Sequence, residues 1–153
     1  MEGVQEKPIA KIKALYQYPC RGIRGFEVDQ LFMSESGPKY DRMWVMLRKK
    51  DLKARSLANV AEMTRFRQKY LYNKDGHPDS LIIYIEKEVM PDLPVRKVRI
   101  PINRKFLSQD LIKGKENYEG YKEADAISEW LSEILGLEVV LIRASPDRGM
   151  PLI

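Results

Sequence analysis

The chain of 153 residues has one cysteine, Cys20, and one histidine, His77. A lone cysteine excludes an intrachain disulfide, and one Cys with one His cannot supply the four ligands of a structural zinc site, so no metal centre is expected. A chain without disulfides is expected inside the cell. Long apolar runs are lacking too, since no stretch reaches the ~20 residues that a membrane-spanning helix needs. Met1 to Pro8 holds no hydrophobic signal core, and Glu2 and Glu6 are out of keeping with a cleavable transit peptide. There is no GxGxxG fingerprint, no Walker loop and no GxSxG elbow. Cys20 and His77 would be the one nucleophile and base pair to consider. However, His77 lies in the hydrophilic turn Asp75-Gly76-His77-Pro78, where an exposed, non-catalytic histidine is expected.

What is present suits one globular domain. Hydrophobic residues make up 44% and charged residues 32%, and a chain of this length can bury a core without staples. Lys and Arg number 27 against 22 Asp and Glu, a net charge of +5. That excess allows an acidic partner: an acidic protein face, lipid headgroups, RNA or a phosphorylated cofactor. Much of it falls at Arg48, Lys49, Lys50, Lys53, Arg55, Arg65, Arg67 and Lys69. A solvated face is the plain reading of such a run, and a binding patch is the other.

The patterning is mainly that of strands over the first ~105 residues. Lys11 to Tyr16 alternates charged with apolar positions. Phe26 to Met33 follows, and Met43 to Leu47 is apolar on both faces, as in a central strand. Met63 to Leu71 sets Arg65, Arg67 and Lys69 opposite Phe66 and Tyr70. Ser80 to Ile85 and Arg96 to Ile102 complete the set. Short strands at this spacing predict a barrel or sandwich of mostly antiparallel strands. Residues 103–120 show little period and read as a long connection. Glu123 to Leu135 carries Ala124, Ile127, Leu131, Ile134 and Leu135 at helical spacing, with Trp130 on the flank. Glu123 and Asp125 fall where the helix dipole favours negative charge, and Gly136 suits the C-terminal cap. Leu137 to Ile142 reads as a final buried strand, and Ser145 to Ile153 has the composition of a linker.

Three places carry candidate chemistry. In Tyr18-Pro19-Cys20-Arg21-Gly22-Ile23-Arg24-Gly25 the glycines permit tight turns, and Arg21 and Arg24 could hold a phosphate or carboxylate. Asp41-Arg42 opens a strand, so Arg42 either points its fork at a ligand anion or forms a structural ion pair. Lys53-Ala54-Arg55 is a weaker case of the same kind.

Taken in order, Leu15-Tyr16-Gln17-Tyr18-Pro19, Cys20-Arg21-Gly22, Asp41-Arg42-Met43-Trp44, Ala54-Arg55, Ala126 to Leu131 and Val140 to Arg143 resemble the MOSC N-terminal β-barrel domain. That domain occurs in the mitochondrial amidoxime-reducing component and in molybdenum cofactor sulfurase. The resemblance spans about residues 9–145, with tails at 1–8 and 146–153. It implies a barrel that, with a following MOSC domain, encloses the molybdenum cofactor. Arg42 matches a cofactor-contacting arginine of the family, and Arg21 and Arg55 would join it if an anionic cofactor is retained. Two departures count against that. The sequence ends about where a MOSC domain would begin, so the metal-ligating cysteine of that domain has no counterpart. Tyr18-Pro19 also runs directly into Cys20-Arg21-Gly22, without the Lys-Ser pair that the family places after Tyr-Pro. The expectation is a non-catalytic accessory subunit with no cofactor, packed in a larger mitochondrial assembly such as a respiratory complex. The alternatives are the cofactor-binding half of a split amidoxime-reductase-like oxidoreductase, an RNA-binding barrel, and a cytoplasmic location.

Overall fold

The computed structural model describes residues 9–35, 37–56 and 59–144. Both proposed tails, 1–8 and 146–153, lie outside them. Eleven strands and one α-helix follow in chain order. They are β1 (Leu15–Gln17), β2 (Phe26–Val28), β3 (Met33–Ser34), β4 (Gly37–Pro38), β5 (Trp44–Arg48), β6 (Phe66–Tyr72), β7 (Pro78–Ile85), β8 (Lys97–Pro101), β9 (Leu111–Lys113), β10 (Glu119–Lys122), α1 (Asp125–Leu135) and β11 (Val139–Ala144). The fold is mainly β, antiparallel in every ladder, with one C-terminal helix, as the sequence predicts.

Two sheets do most of the work. β6, β7 and β8 form an antiparallel meander, and β5-β11-β10-β9 form a four-stranded sheet. The second sheet curls. Its open β5 edge is met first by the loop after β1, through a parallel bridge between Cys20 and Trp44, and then by Ala54, which bridges Leu47. Just before Ala54, the Leu52 carbonyl accepts the Lys115 N–H beyond β9 at 3.0 Å. A ring of backbone contacts thus runs from β9 through residues 52–54 back to β5. Single bridges complete it rather than a full ladder.

Period-2 alternation explains the two cores. Trp44 and Met46 of β5 and Val139 and Leu141 of β11 face the larger core, with Phe66, Leu81, Ile83, Ile100 and the apolar stripe of α1. Val45, Leu47 and Ile142 face the other way, onto a smaller cluster with Tyr118. A strand apolar on both faces is therefore buried on both faces. α1 buries Trp130, Leu131, Ile134 and Leu135. It ends at Gly136, whose φ of 71° only a glycine adopts freely, and whose N–H bonds the Ser132 carbonyl at 2.9 Å. Leu131 is fully buried, so Leu131→Ala would cost about 2–5 kcal/mol.

β10 pairs with β11 only at residues 142–144. After Lys122 the chain leaves the ladder and turns into α1, which lies along the vacated edge of β11. Ser132 Oγ accepts the Val139 N–H and Ser128 Oγ accepts the Leu141 N–H, each at 3.0 Å. Two serines thus replace the missing strand's carbonyls. None of the described helices is long and apolar enough to cross a membrane.

Four expectations need correction. Lys11 to Tyr16 is not one strand. Only Leu15–Gln17 pairs, with β2, and Ile9 and Ile12 are exposed, so the alternation there had no partner strand to bury it. Phe26 to Met33 breaks into β2 and β3. Met63 lies in a short 3-10 turn, Ala61–Arg65, before β6 starts at Phe66. Residues 103–120 are not a bare connection, since they hold a 3-10 turn at Ser108–Asp110, then β9 and the start of β10. The β9–β10 turn passes through Glu116 and Asn117 at φ of 61° and 66°. No glycine marks those positions, and a three-residue strand is too short to display a period.

Candidate functional site

The loop carrying Cys20 and Arg21 is fixed by one buried side chain. Gln68, on the inner face of β6, accepts the Cys20 N–H at 2.8 Å. Its amide nitrogen donates to the carbonyls of Cys20, Ile23 and Arg24 at 3.3, 3.2 and 3.1 Å. Gly22 sits at φ 85° with its Cα so close to the Arg55 carbonyl that a Cβ would fall 2.8 Å from that oxygen. The tight turn read from the sequence therefore depends on this glycine.

Asp41 binds the strand opening. Its Oδ1 accepts the Tyr18 N–H at 2.7 Å, and its Oδ2 takes the Arg42 guanidinium. Arg42 has φ of 50°, and its guanidinium carbon stands 5.5 Å from the Tyr18 ring centroid. Arg42 thus forms the ion pair with Asp41, and its side chain is 38% exposed. Arg21 lies over the Tyr118 ring at 5.6 Å. Arg55 is buried and donates from Nε to the Lys53 carbonyl at 3.3 Å. A cleft of about 570 Å3 opens beside this loop between Tyr16, Tyr18, Ile23 and Arg24. Arg21, Arg42 and Arg55 are not among the residues that line it.

Cys20 is fully buried, and burial pushes its thiol well above the ordinary range, so it is a core residue and not a thiolate. His77 is half-buried rather than exposed. Its ring stacks on Phe32 at 4.2 Å and its Nδ1 lies 3.1 Å from the Tyr40 hydroxyl. Among the described residues no cluster of His, Cys, Asp and Glu could hold a metal ion.

Part of the basic run is taken up by internal partners. Arg48 pairs with Asp51, Arg65 donates to the Ile134 carbonyl at 2.7 Å, Arg67 pairs with Glu86 at 3.3 Å, and Lys69 lies over Tyr84. Tyr70 is buried, with its hydroxyl on the Tyr40 carbonyl at 2.6 Å. It cannot stack on a base as an RNA-binding platform would require.

The most developed polar cluster involves a residue that the sequence reading assigned to the helix dipole. Glu123 is fully buried between β10 and α1. Its Oε2 accepts the Trp44 indole N–H at 2.7 Å and Arg143 Nε at 2.8 Å, and its Oε1 takes Arg104 at 2.8 Å. Arg143 also donates to the carbonyls of Ile102 and Pro101 at 2.5 and 2.6 Å, and lies over both Trp44 and Phe106 at 5.0 Å. Burial lowers the Arg143 pKa from its ordinary value, and Glu123 opposes that shift. The cluster ties β5, β11, the β8 exit and the start of α1 together. A signal was present: Arg143 shares the alternation phase of Val139 and Leu141, so it faces the core and needs a carboxylate there.

The family model for the MOSC N-terminal beta barrel domain matches residues 9–138. The chain belongs to that family. Comparison with curated proteins and with solved structures finds no match. The matched span of this MOSC N-terminal domain takes in the Cys20 loop, Asp41-Arg42, β1 to β10 and all of α1, and stops just before β11.

Proposed function

We propose that this MOSC N-terminal barrel serves as a non-catalytic accessory subunit, packed in a larger assembly. By the location of proteins that share the domain, a mitochondrial assembly such as a respiratory complex is the leading candidate. The observation that carries the reading is the disposition of the family-like arginines. Arg42 is held by Asp41, Arg55 is buried on a carbonyl of its own loop, and neither lines the cleft beside Tyr18. A phosphate clamp needs fork-like donors converging on one anion, and here Arg42 and Arg55 each bond a group of the chain itself. The excess of basic side chains then meets acidic faces of neighbouring subunits, with lipid headgroups or RNA as further anionic contacts.

A second reading has one observation in its favour. The 38% exposure of Arg42 leaves part of its guanidinium open. In a split amidoxime-reductase-like oxidoreductase, Arg42 with Arg21 and Arg55 would hold the anionic end of a molybdenum cofactor, which would supply the redox chemistry. Arg42→Ala separates the two. In an accessory subunit the variant loses a little stability or incorporation into the assembly and changes no turnover. Loss of a redox activity with folding and assembly intact would contradict the proposal.

A further inference from the structure

We infer that the groove between α1 and the curled sheet docks a basic, amphipathic segment of a neighbouring protein subunit. The inference rests on the accessory-subunit reading and names the chemistry of one partner. The groove has a volume of about 650 Å3 and lies apart from the Cys20 loop. Its floor is apolar: Leu52, Ile112 and Val140 pack on the smaller cluster but keep one side uncovered. Leu52 reaches that floor from a φ of 58°, a conformation a bulky residue rarely holds.

The wall is mainly acidic, with four carboxylates against the two ammonium groups of Lys49 and Lys122. Asp125, Glu129 and Glu133 recur every fourth residue along one edge of α1, and Glu138 continues the line. Carboxylates four apart on a helix repel one another, and α1 contains no lysine or arginine to relieve them. Among the described residues, Lys122 approaches Asp125 at 3.5 Å, while Glu129, Glu133 and Glu138 enter no ion pair. On a chain of net charge +5 this wall is the reverse of the general surface. RNA and anionic lipid carry the wrong sign for it. A peptide with apolar side chains for the floor and Lys or Arg for the wall complements both features. The groove is preformed, because Ser128 and Ser132 fix α1 to β11 from the same side.

The test uses the native assembly and the double variant Glu129→Lys/Glu133→Lys. Both side chains are exposed; the change turns the repulsion between positions 125 and 129 into attraction and leaves that between 129 and 133 in place, so the isolated variant should melt at or above the wild-type temperature. Its retention in the assembly should fall about tenfold or more. A photo-crosslinking p-benzoylphenylalanine in place of Glu138 should capture a Lys/Arg-rich segment of another subunit, identified by mass spectrometry. Wild-type retention of a folded double variant overturns the inference, as does capture of an acidic segment, RNA or a second copy of the chain. If the wild-type chain itself migrates free of any assembly, the accessory reading fails first. If it assembles and the variant does too, only the groove is refuted.

Discussion

Asp41–Arg42 and Glu123–Arg143 are both arginine–carboxylate pairs, and they differ in everything but their chemistry. The first is made by adjacent residues at a strand opening, with the arginine 38% exposed. The second joins residues 20 apart, with side chains 0% and 7% exposed, and it recruits Arg104, the Trp44 indole and two carbonyls. An exposed pair gains little over its hydrated partners. A buried carboxylate stripped of its partners is left as an unpaired charge in the core. The pair visible as a sequence motif is thus the weaker determinant of the fold, and the stronger one is assembled from scattered positions.

The contrast can be broken experimentally. The largest effect should come from Glu123→Ala, which strands Arg143 and the Trp44 N–H. A loss of about 3–5 kcal/mol in denaturant unfolding is expected, and a loss no larger than that of Arg42→Ala would erase the distinction. Next comes Gln68→Ala, which leaves the buried Cys20 N–H and carbonyls of the loop without their partner, at a cost of about 1–3 kcal/mol. The loop should also open, so that Cys20, inert to a thiol reagent in the wild type at neutral pH, becomes reactive without denaturant. Arg42→Ala should cost under about 1 kcal/mol.

The smallest effect concerns Asp51, whose carboxyl is held below the ordinary carboxylate range chiefly by its hydrogen bond to Arg48. A depressed folded-state value means that its contribution is present above the unfolded carboxylate pKa and is lost as pH falls through the folded one. Asp51→Asn should therefore lower the melting temperature slightly at neutral pH, with the difference from wild type fading in acid. A difference that grows in acid would reverse the sign.

Local period made much of the fold legible. β5, β6, β7 and β8 and the stripe of α1 stand close to where alternation and four-residue spacing put them, because each buries one face against a partner. β9 was hidden by its brevity and by a turn whose positive-φ positions are Glu116 and Asn117 rather than its glycine, Gly114. Lys11 to Ala14 shows the converse, since alternation without a neighbouring strand does not make one. In the candidate site, Arg21, Arg42 and Arg55 could be named from motif residues, but their partners could not. Asp41 was adjacent and therefore visible. Gln68 acts across 48 residues, and Glu123 across 79 to Trp44. Such contacts exist only once the sheet has curled.

We propose that this MOSC N-terminal domain works by packing and not by holding a cofactor. The most direct measurement is isolation of the protein from its native source under mild conditions, with apparent mass and molybdenum and pterin content recorded on the same fraction. The account predicts a large assembly in which the chain's own fraction of molybdenum and pterin is nil. Stoichiometric molybdenum on a small complex of this chain with one partner would contradict it and make Arg42 the first cofactor contact to examine.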